Sequence, residues 1–292
     1  LNWNKETMMF KNLNTGAIGV KATLAEQIDY ARRHGFAGID FSIGEAQAVA
    51  TAQGVNAARD LFAQAGVLPA AWGFPVDFRK DDQTWQDGLK ALPAQAKLAA
   101  ELGCFRTNTW ILPGDEQRDF WSNFAFHVNR LRPAAQILAD HGHRFGLEFV
   151  GPKTLRDARK HLFVYTLDGM LALGAAIGTG NMGLLLDIWH LYTSHGTLDD
   201  VRKLSAQDIV SVHVNDAPLN TAIDEQLDNV RALPAETGVL DIVGFLQTLH
   251  ALSYDGPVTA EPFSQRVREL PPDAAVAETA AALEKSWQLA GI

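Results

Sequence analysis

The amino-acid sequence predicts an α/β fold, a single (β/α)8 TIM barrel covering residues 1–292. Three observations carry that prediction. Strand-like apolar runs alternate with helical runs along the whole chain, and eight such pairs can be counted. A length of 292 residues is what eight pairs require. The strand-like runs are almost uniformly apolar, as parallel strands covered on both faces must be. An open doubly wound sheet usually has fewer strands and a Gly-rich loop after the first, and no such loop occurs here.

The elements follow in order. Phe10–Ile18 reads as the first strand. Thr23 and Glu26 form a capping box, and Leu24, Ile28 and Ala31 share the apolar face of the helix that follows. Gly35 ends that helix, where a left-handed residue is cheap, and Phe36–Ile43 is the second strand. Val67–Val76 is the third. Residues 84–102 carry Trp85, Leu89, Leu92 and Leu102 on one helical face and lead through Gly103 into Cys104–Ile111. Pro93 predicts a kink or a split in that helix, and Pro133 does the same in the helix at 119–141 before Arg144–Val150. Thr166–Ile177 leads into Met182–Tyr192, and a short helix at Asp199–Leu204 leads into Ile209–Asn215. Asp241 caps a helix that buries Ile242, Phe245, Leu246 and Leu249; Gly256–Phe263 follows it, and Asp273–Leu289 closes the chain. The strand ends Asp40, Trp72, Asn108, Glu148, Asp187, His213 and Glu261 are spaced about 37 residues apart, the repeat of one eighth of the chain.

Composition removes several classes of function. With 34 acidic and 25 basic residues the formal charge is −9, which opposes binding to phosphate polymers, so no nucleic-acid partner is expected. The 47% apolar content builds a large core, and 20% charged residues is too few for a disordered chain. Cys104 is the only cysteine, which excludes an internal disulfide and any Cys-rich zinc module. No run approaches the ~20 apolar residues that span a bilayer, so no membrane partner is expected. The segment LNWNKETMMF lacks a basic-then-apolar signal pattern, from which a cytoplasmic location is expected; the missing initiator Met is consistent with trimming upstream.

In a barrel of this kind chemistry sits at the C-terminal ends of the strands. The last four strands each place a polar residue there: Glu148 in FGLEFVG, Asp187 in MGLLLDIWHLY, His213 in IVSVHVNDAP and Glu261 in GPVTAEPF. Any one of these carboxylates could simply cap the next helix, and a lone strand histidine is commonly a hydrogen-bonded core residue. Together they are different. Three carboxylates and an imidazole on four adjacent strands repel one another unless a cation holds them or protons neutralise them. One divalent ion bound by Glu148, Asp187, His213 and Glu261 is the simpler solution, with Mn2+ favoured by the oxygen-rich set and Mg2+, Co2+ or Zn2+ compatible with it.

The segments LEFVGPKT, LLLDIWHLY, SVHVNDAP and YDGPVTAEPF resemble the xylose isomerase-like TIM-barrel superfamily of sugar isomerases and epimerases, which includes ketose 3-epimerases, hydroxypyruvate isomerase and inosose dehydratase-like proteins. The resemblance implies the same quartet as metal ligands. It also implies that His190, in the Asp-x-x-His pattern, and Arg231, in RALPAETG, bind substrate. The substrate it implies is a small sugar or polyol, and such barrels commonly pair as homo-oligomers. Two features depart from the pattern: Ala235 follows Pro234 where a glycine is usual, and Ile188–Trp189 is bulky where a small residue is usual. Proton removal beside a carbonyl through an enediolate, with Glu148 and Glu261 as the acid/base pair, gives epimerisation or aldose–ketose isomerisation. A metal-dependent dehydratase of an inosose-like keto-polyol is the alternative. The metal-dependent endonucleases that share this barrel carry extra histidines after strands three, four and seven, which VLPAAWGF, CFRTNTWI and residues 217–236 lack. A glycoside hydrolase would need two strand-end carboxylates but not the convergence of Asp187 and His213.

Further residues are expected near the mouth. Trp72, Phe74, Trp110, Phe149, Trp189 and Phe263 read as a group near the mouth that could cover a sugar, with core packing the leading alternative for any one ring. Lys153 and Arg156 read as a solvated pair or a site for a substrate anion. Asp216 either orients His213 or caps the next segment. His141 and His143 read as surface.

Overall fold

The computed structural model describes residues 8–292, so most of the N-terminal segment read above for a signal lies outside the described residues. Eight parallel strands close into a barrel: β1 (Phe10–Leu13), β2 (Gly38–Phe41), β3 (Leu68–Gly73), β4 (Arg106–Ile111), β5 (Arg144–Phe149), β6 (Met182–Asp187), β7 (Ile209–Val214) and β8 (Pro257–Ala260). Each strand pairs with its neighbour in the chain, and β8 returns to β1. Among the described residues no helix is long and apolar enough to cross a membrane.

Local chemistry accounts for the elements. Thr23 and Glu26 make the reciprocal capping box ahead of α1 (Leu24–His34), and Gly35 ends it at φ 74°. The helices at Asp82–Leu102 and Phe120–Asp140 run unbroken through Pro93 and Pro133, so the expected split does not occur. Each proline removes one backbone donor from a helix of 21 residues, and packing of the buried face holds the rest. The sixth strand stops at Asp187, and residues 188–193 turn at once into a short helix, so His190 stands on a helix rather than a strand. An antiparallel pair, Gly114–Asp115 with His161–Leu162, ties the loop after β4 to the loop after β5.

Register decides which side chains meet inside. Between β6 and β7 the pairing slips by one residue after Leu184, from Leu184↔Ile209 to Leu185↔Ser211. Because side chains alternate across a strand, a one-residue slip exchanges the faces that meet. The slip brings Asp187 opposite His213 instead of opposite Val212. The outer shell of the barrel is apolar, with Phe145, Leu147 and Phe149 fully buried. Its interior is more polar than uniform apolar strands imply: Asn12 Nδ2 donates to Asp40 (2.7 Å) and to Thr259 (2.9 Å), and Asn108 Nδ2 donates to Ser211 (2.9 Å). Gly146 makes room for that layer, since a Cβ there would collide with Asn108 Oδ1.

At the bottom of the barrel one expectation fails and one pair of alternatives is decided. His143 is buried, its Nε2 2.8 Å from the Ala96 carbonyl, because the chain passes under the helix at Asp82–Leu102 before entering β5. Trp72 is not at the mouth; its ring meets that of His143 edge-on at 5.5 Å.

Candidate active site

Glu148 lies on β5 opposite Trp110 of β4, and Asp187 ends β6 opposite His213 of β7. Glu261 follows β8 directly, its N–H donating to the Val214 carbonyl at 3.0 Å. Four strands thus deliver four donor side chains to one point: one ligand atom from each of Glu148, Asp187, His213 and Glu261 lies within 4.8 Å of all the others. Asp187 also accepts the Trp189 N–H at 2.7 Å, so the capping role open to any strand-end acid is real here and coexists with membership of the cluster.

His213 Nδ1 is 3.5 Å from Glu148 Oε1 and 3.4 Å from Glu261 Oε2. Both His213 Nδ1 and Glu148 Oε1 are buried without a hydrogen-bond partner. A buried polar atom with no partner is costly, and two aimed at each other across 3.5 Å are the donor set of a cation. With two more carboxylates beside them, the residues present fit a divalent ion.

The cluster's charge shapes every ionisable group in it. Burial pushes Glu148 up to about 7, against the pull of His213. Burial acts on Glu261 in the same sense, but His213 and then Arg231 hold it below the usual carboxylate range. For His213 burial opposes the charged form, yet Glu261 and Glu148 outweigh it and raise the imidazole well above its ordinary value. The carboxylates recruit whatever positive charge lies within reach.

The loop between β7 and the helix at Ile242–Ala251 supplies Arg231. Its Nη1 donates to Asp187 Oδ2 (2.8 Å) and Glu261 Oε2 (2.9 Å), and its Nη2 donates to Asp228 Oδ1 (3.1 Å). The guanidinium is buried over the rings of Trp189 and Phe263, at 4.5 and 4.8 Å. Asp216 holds this loop. Its carboxylate accepts backbone N–H groups from Ala217 (2.9 Å), Leu240 (2.9 Å), Thr237 (3.0 Å) and Gly238 (2.7 Å), and its own backbone bridges Ala232. Of the two roles open to Asp216, the structure shows the loop anchor.

His190 Nδ1 accepts the Gly151 N–H at 3.2 Å, and its Nε2 faces Arg231 Nη2 at 3.2 Å. Burial and then the Arg231 charge push it down to about 3, so the ring is neutral. A neutral imidazole has one acceptor nitrogen, and each ring nitrogen of His190 faces a donor, the Gly151 N–H at Nδ1 and the Arg231 guanidinium at Nε2.

That cavity, about 420 Å³, is walled by Trp110, Leu112, Val150, Leu155 and Phe263, and its polar surface comes from Glu148, His190, Asp228, Asn229, Arg231 and Glu261. All of the quartet and both expected substrate residues therefore meet at this mouth or directly beneath it. Of the six aromatics, Trp110 and Phe263 line the cavity and Trp189 backs Arg231. Phe149 is fully buried, and Phe74 packs on Phe145 at 4.6 Å instead of facing the cavity. Lys153 pairs with Asp157, and Arg156 donates to the Gly151 carbonyl while lying over Tyr165. Sequence reasoning missed Asp228, and it marks Asn215 as a polar residue at the end of strand seven without giving it a role. Asp228 sits three residues before Arg231, the one spacing cue it offered. Asn215 Nδ2 lies 3.3 Å from Asp187 and 3.2 Å from the Glu261 carbonyl, linking two members of the quartet.

Fold and site together define a (β/α)8 barrel with a divalent-cation donor set at its C-terminal rim. The chain belongs to the xylose isomerase-like TIM-barrel family, which it matches over residues 28–286. An inosose isomerase of Halalkalibacterium halodurans is 26% identical over 152 residues, 51% of this chain and 50% of that protein. A 3-dehydroshikimate dehydratase of Pseudomonas putida is 26% identical over 259 residues, 87% of this chain and 38% of that protein. The chain thus spans half or less of the length of these curated relatives, both of them enzymes. The solved structure of a xylose isomerase domain protein from Alicyclobacillus acidocaldarius superposes with a TM-score of 0.85 at 29% identity, over 97% of this chain and all of that one.

Proposed function

We propose that this chain is a divalent-metal-dependent sugar isomerase or epimerase that acts on a ketose, hydroxyketone or related polyol by moving a proton next to a carbonyl. The observation that carries the reading is the convergence of four ligand atoms within 4.8 Å of one another, two of them buried and unpartnered. Glu148, Asp187, His213 and Glu261 would hold the ion, Mn2+ in first place and Mg2+, Co2+ or Zn2+ as compatible occupants. When bound, the ion supplies positive charge where the substrate's oxygens become negative.

Glu148 and Glu261 are the proposed acid/base pair. They project from β5 and from the end of β8, three strands apart around the rim, so a substrate carbon lying between them has a carboxylate on either side. One takes a proton as a C–H bond breaks, and the other returns a proton to the same carbon, which epimerises it, or to the adjacent carbon, which isomerises the sugar. His190, on the cavity wall beside Arg231, is placed to contact a substrate oxygen. Arg231 fixes the orientation of Asp187 and Glu261 and lends positive potential to the cavity. Trp110 and Phe263 cover apolar C–H faces and keep water out.

A dehydratase is the second reading, favoured by the match to a 3-dehydroshikimate dehydratase over 87% of the chain. The same pair would then remove a proton beside the carbonyl and protonate a departing hydroxyl. Incubation of the metal-loaded protein with ketoses and inososes in deuterated water separates the two. Deuterium on the carbon beside the carbonyl with no loss of mass supports isomerisation or epimerisation, and net loss of water supports dehydration. Absence of both with every ketone tried would remove the proton-transfer reading.

A further inference from the structure

The charges lining the cavity bear on the substrate. Glu148, Glu261 and Asp228 face it, and Asp187 lies directly beneath. Arg231 is the one Lys or Arg among the lining residues, and its donors are taken by Asp187, Glu261 and Asp228. Asp228 is the member with no place in the quartet. Its side chain is 25% exposed, it holds Arg231 at 3.1 Å, and it stands 3.8 Å from His190 Nε2. Two cations beside the lining residues Trp110 and Phe263 are turned to the walls. Arg79 donates to the Trp110 carbonyl with its guanidinium 3.8 Å over the Trp110 ring, and Arg268 lies 5.1 Å over the ring of Phe263. With a dication held by the quartet, His213 is a neutral ligand and Glu148 is ionised, so four carboxylates against the ion and one guanidinium leave the cavity negative.

We propose that the substrate is an uncharged, ring-sized hydroxyketone or polyol, neither phosphorylated nor carboxylated, and that Asp228 is a specificity-determining residue that repels anions while accepting a hydrogen bond from a substrate hydroxyl. This rests on the proposed function and narrows it, since it separates a neutral cyclic ketone from a keto acid. An anionic substituent entering the mouth would meet Asp228 within a cavity of about 420 Å³ that has no unpaired cation among its lining residues. A hydroxyl meets an acceptor in Asp228 and both a donor and an acceptor in the Asn229 amide.

Two polyols of matched ring size test this without turnover: inositol, which is neutral, and quinate, which carries a carboxylate. Calorimetric titration of each into the metal-loaded wild type should give inositol an affinity at least tenfold higher. In Asp228→Asn the gap should close at least tenfold, by tighter quinate binding, with circular dichroism unchanged from wild type. Quinate binding as well as inositol in the wild type, an unchanged ratio in Asp228→Asn, or failure of both to bind would each overturn the inference. Preference for quinate that disappears in Arg79→Met would overturn it and assign Arg79 as an anion site. Turnover is scored separately: if inositol binds as expected but no ketone exchanges deuterium, the proposed reaction fails and the charge preference stands.

Discussion

Asp216 and Glu148 are both buried acids at the C-terminal rim, Glu148 on β5 and Asp216 two residues beyond the end of β7. Asp216 accepts four backbone N–H groups and anchors the loop that carries Arg231. Glu148 Oε1 has no hydrogen-bond partner at all. One carboxylate is satisfied by the fold, and the other is left for something the fold does not contain. The difference between a structural acid and a chemical one is therefore written in the donors around it, not in its residue type or its place at a strand end.

The largest expected effect follows from the unsatisfied side. Glu148→Gln and Glu261→Gln should each lower turnover by about 10²–10⁴-fold, the range for loss of a general acid or base. Glu148→Gln should leave the melting temperature unchanged or raised, because it removes a buried charge that lacks a hydrogen bond. Steady-state kinetics and a thermal melt check both halves, and a rate near wild type in either variant would take that residue out of the acid/base role. Asp216→Ala should behave in the opposite way. Leaving its four backbone donors without an acceptor should cost about 3–4 kcal/mol of stability. Denaturant unfolding measures this, and activity should fall too as the loop bearing Arg231 loosens. If Asp216→Ala proved as stable as wild type while Glu148→Gln unfolded, the comparison would be reversed.

Smaller effects sharpen the picture. Gly146→Ala forces a methyl against Asn108 inside the barrel and should cost about 1–3 kcal/mol as an overpacked site, read from the same unfolding curves. His190, pushed down to about 3 by burial and Arg231, should show no titration between pH 5 and 8 in imidazole NMR spectra. A titration midpoint near the ordinary histidine value of about 6.5 would mean that its environment is more open than the structure indicates.

Much of this was legible before folding. The quartet could be read because each member interrupts an apolar strand, and uniformly apolar strands make a polar interruption conspicuous. Arg231 and His190 came only from resemblance, since nothing in their local sequence marks them. Asp228 itself and the role of Asn215 stayed hidden for different reasons. Asp228 lies in a polar loop where acids are ordinary, and its importance comes from the fold-back that Asp216 pins. Asn215 sits beside His213 in SVHVNDAP, but its contact with Asp187 depends on the one-residue slip between β6 and β7, which no pattern in either strand announces. His143 was misplaced because a polar residue near a helix end reads as solvent-facing until a carbonyl such as that of Ala96 is brought over it.

Everything about the chemistry depends on one ion at the shared centre of four side chains. Protein stripped with a chelator and titrated with Mn2+ in a calorimeter should bind one ion per chain, and the Asp187→Asn, His213→Ala double variant should retain its fold by circular dichroism and bind none. Equal stoichiometry and affinity in wild type and double variant would contradict the account.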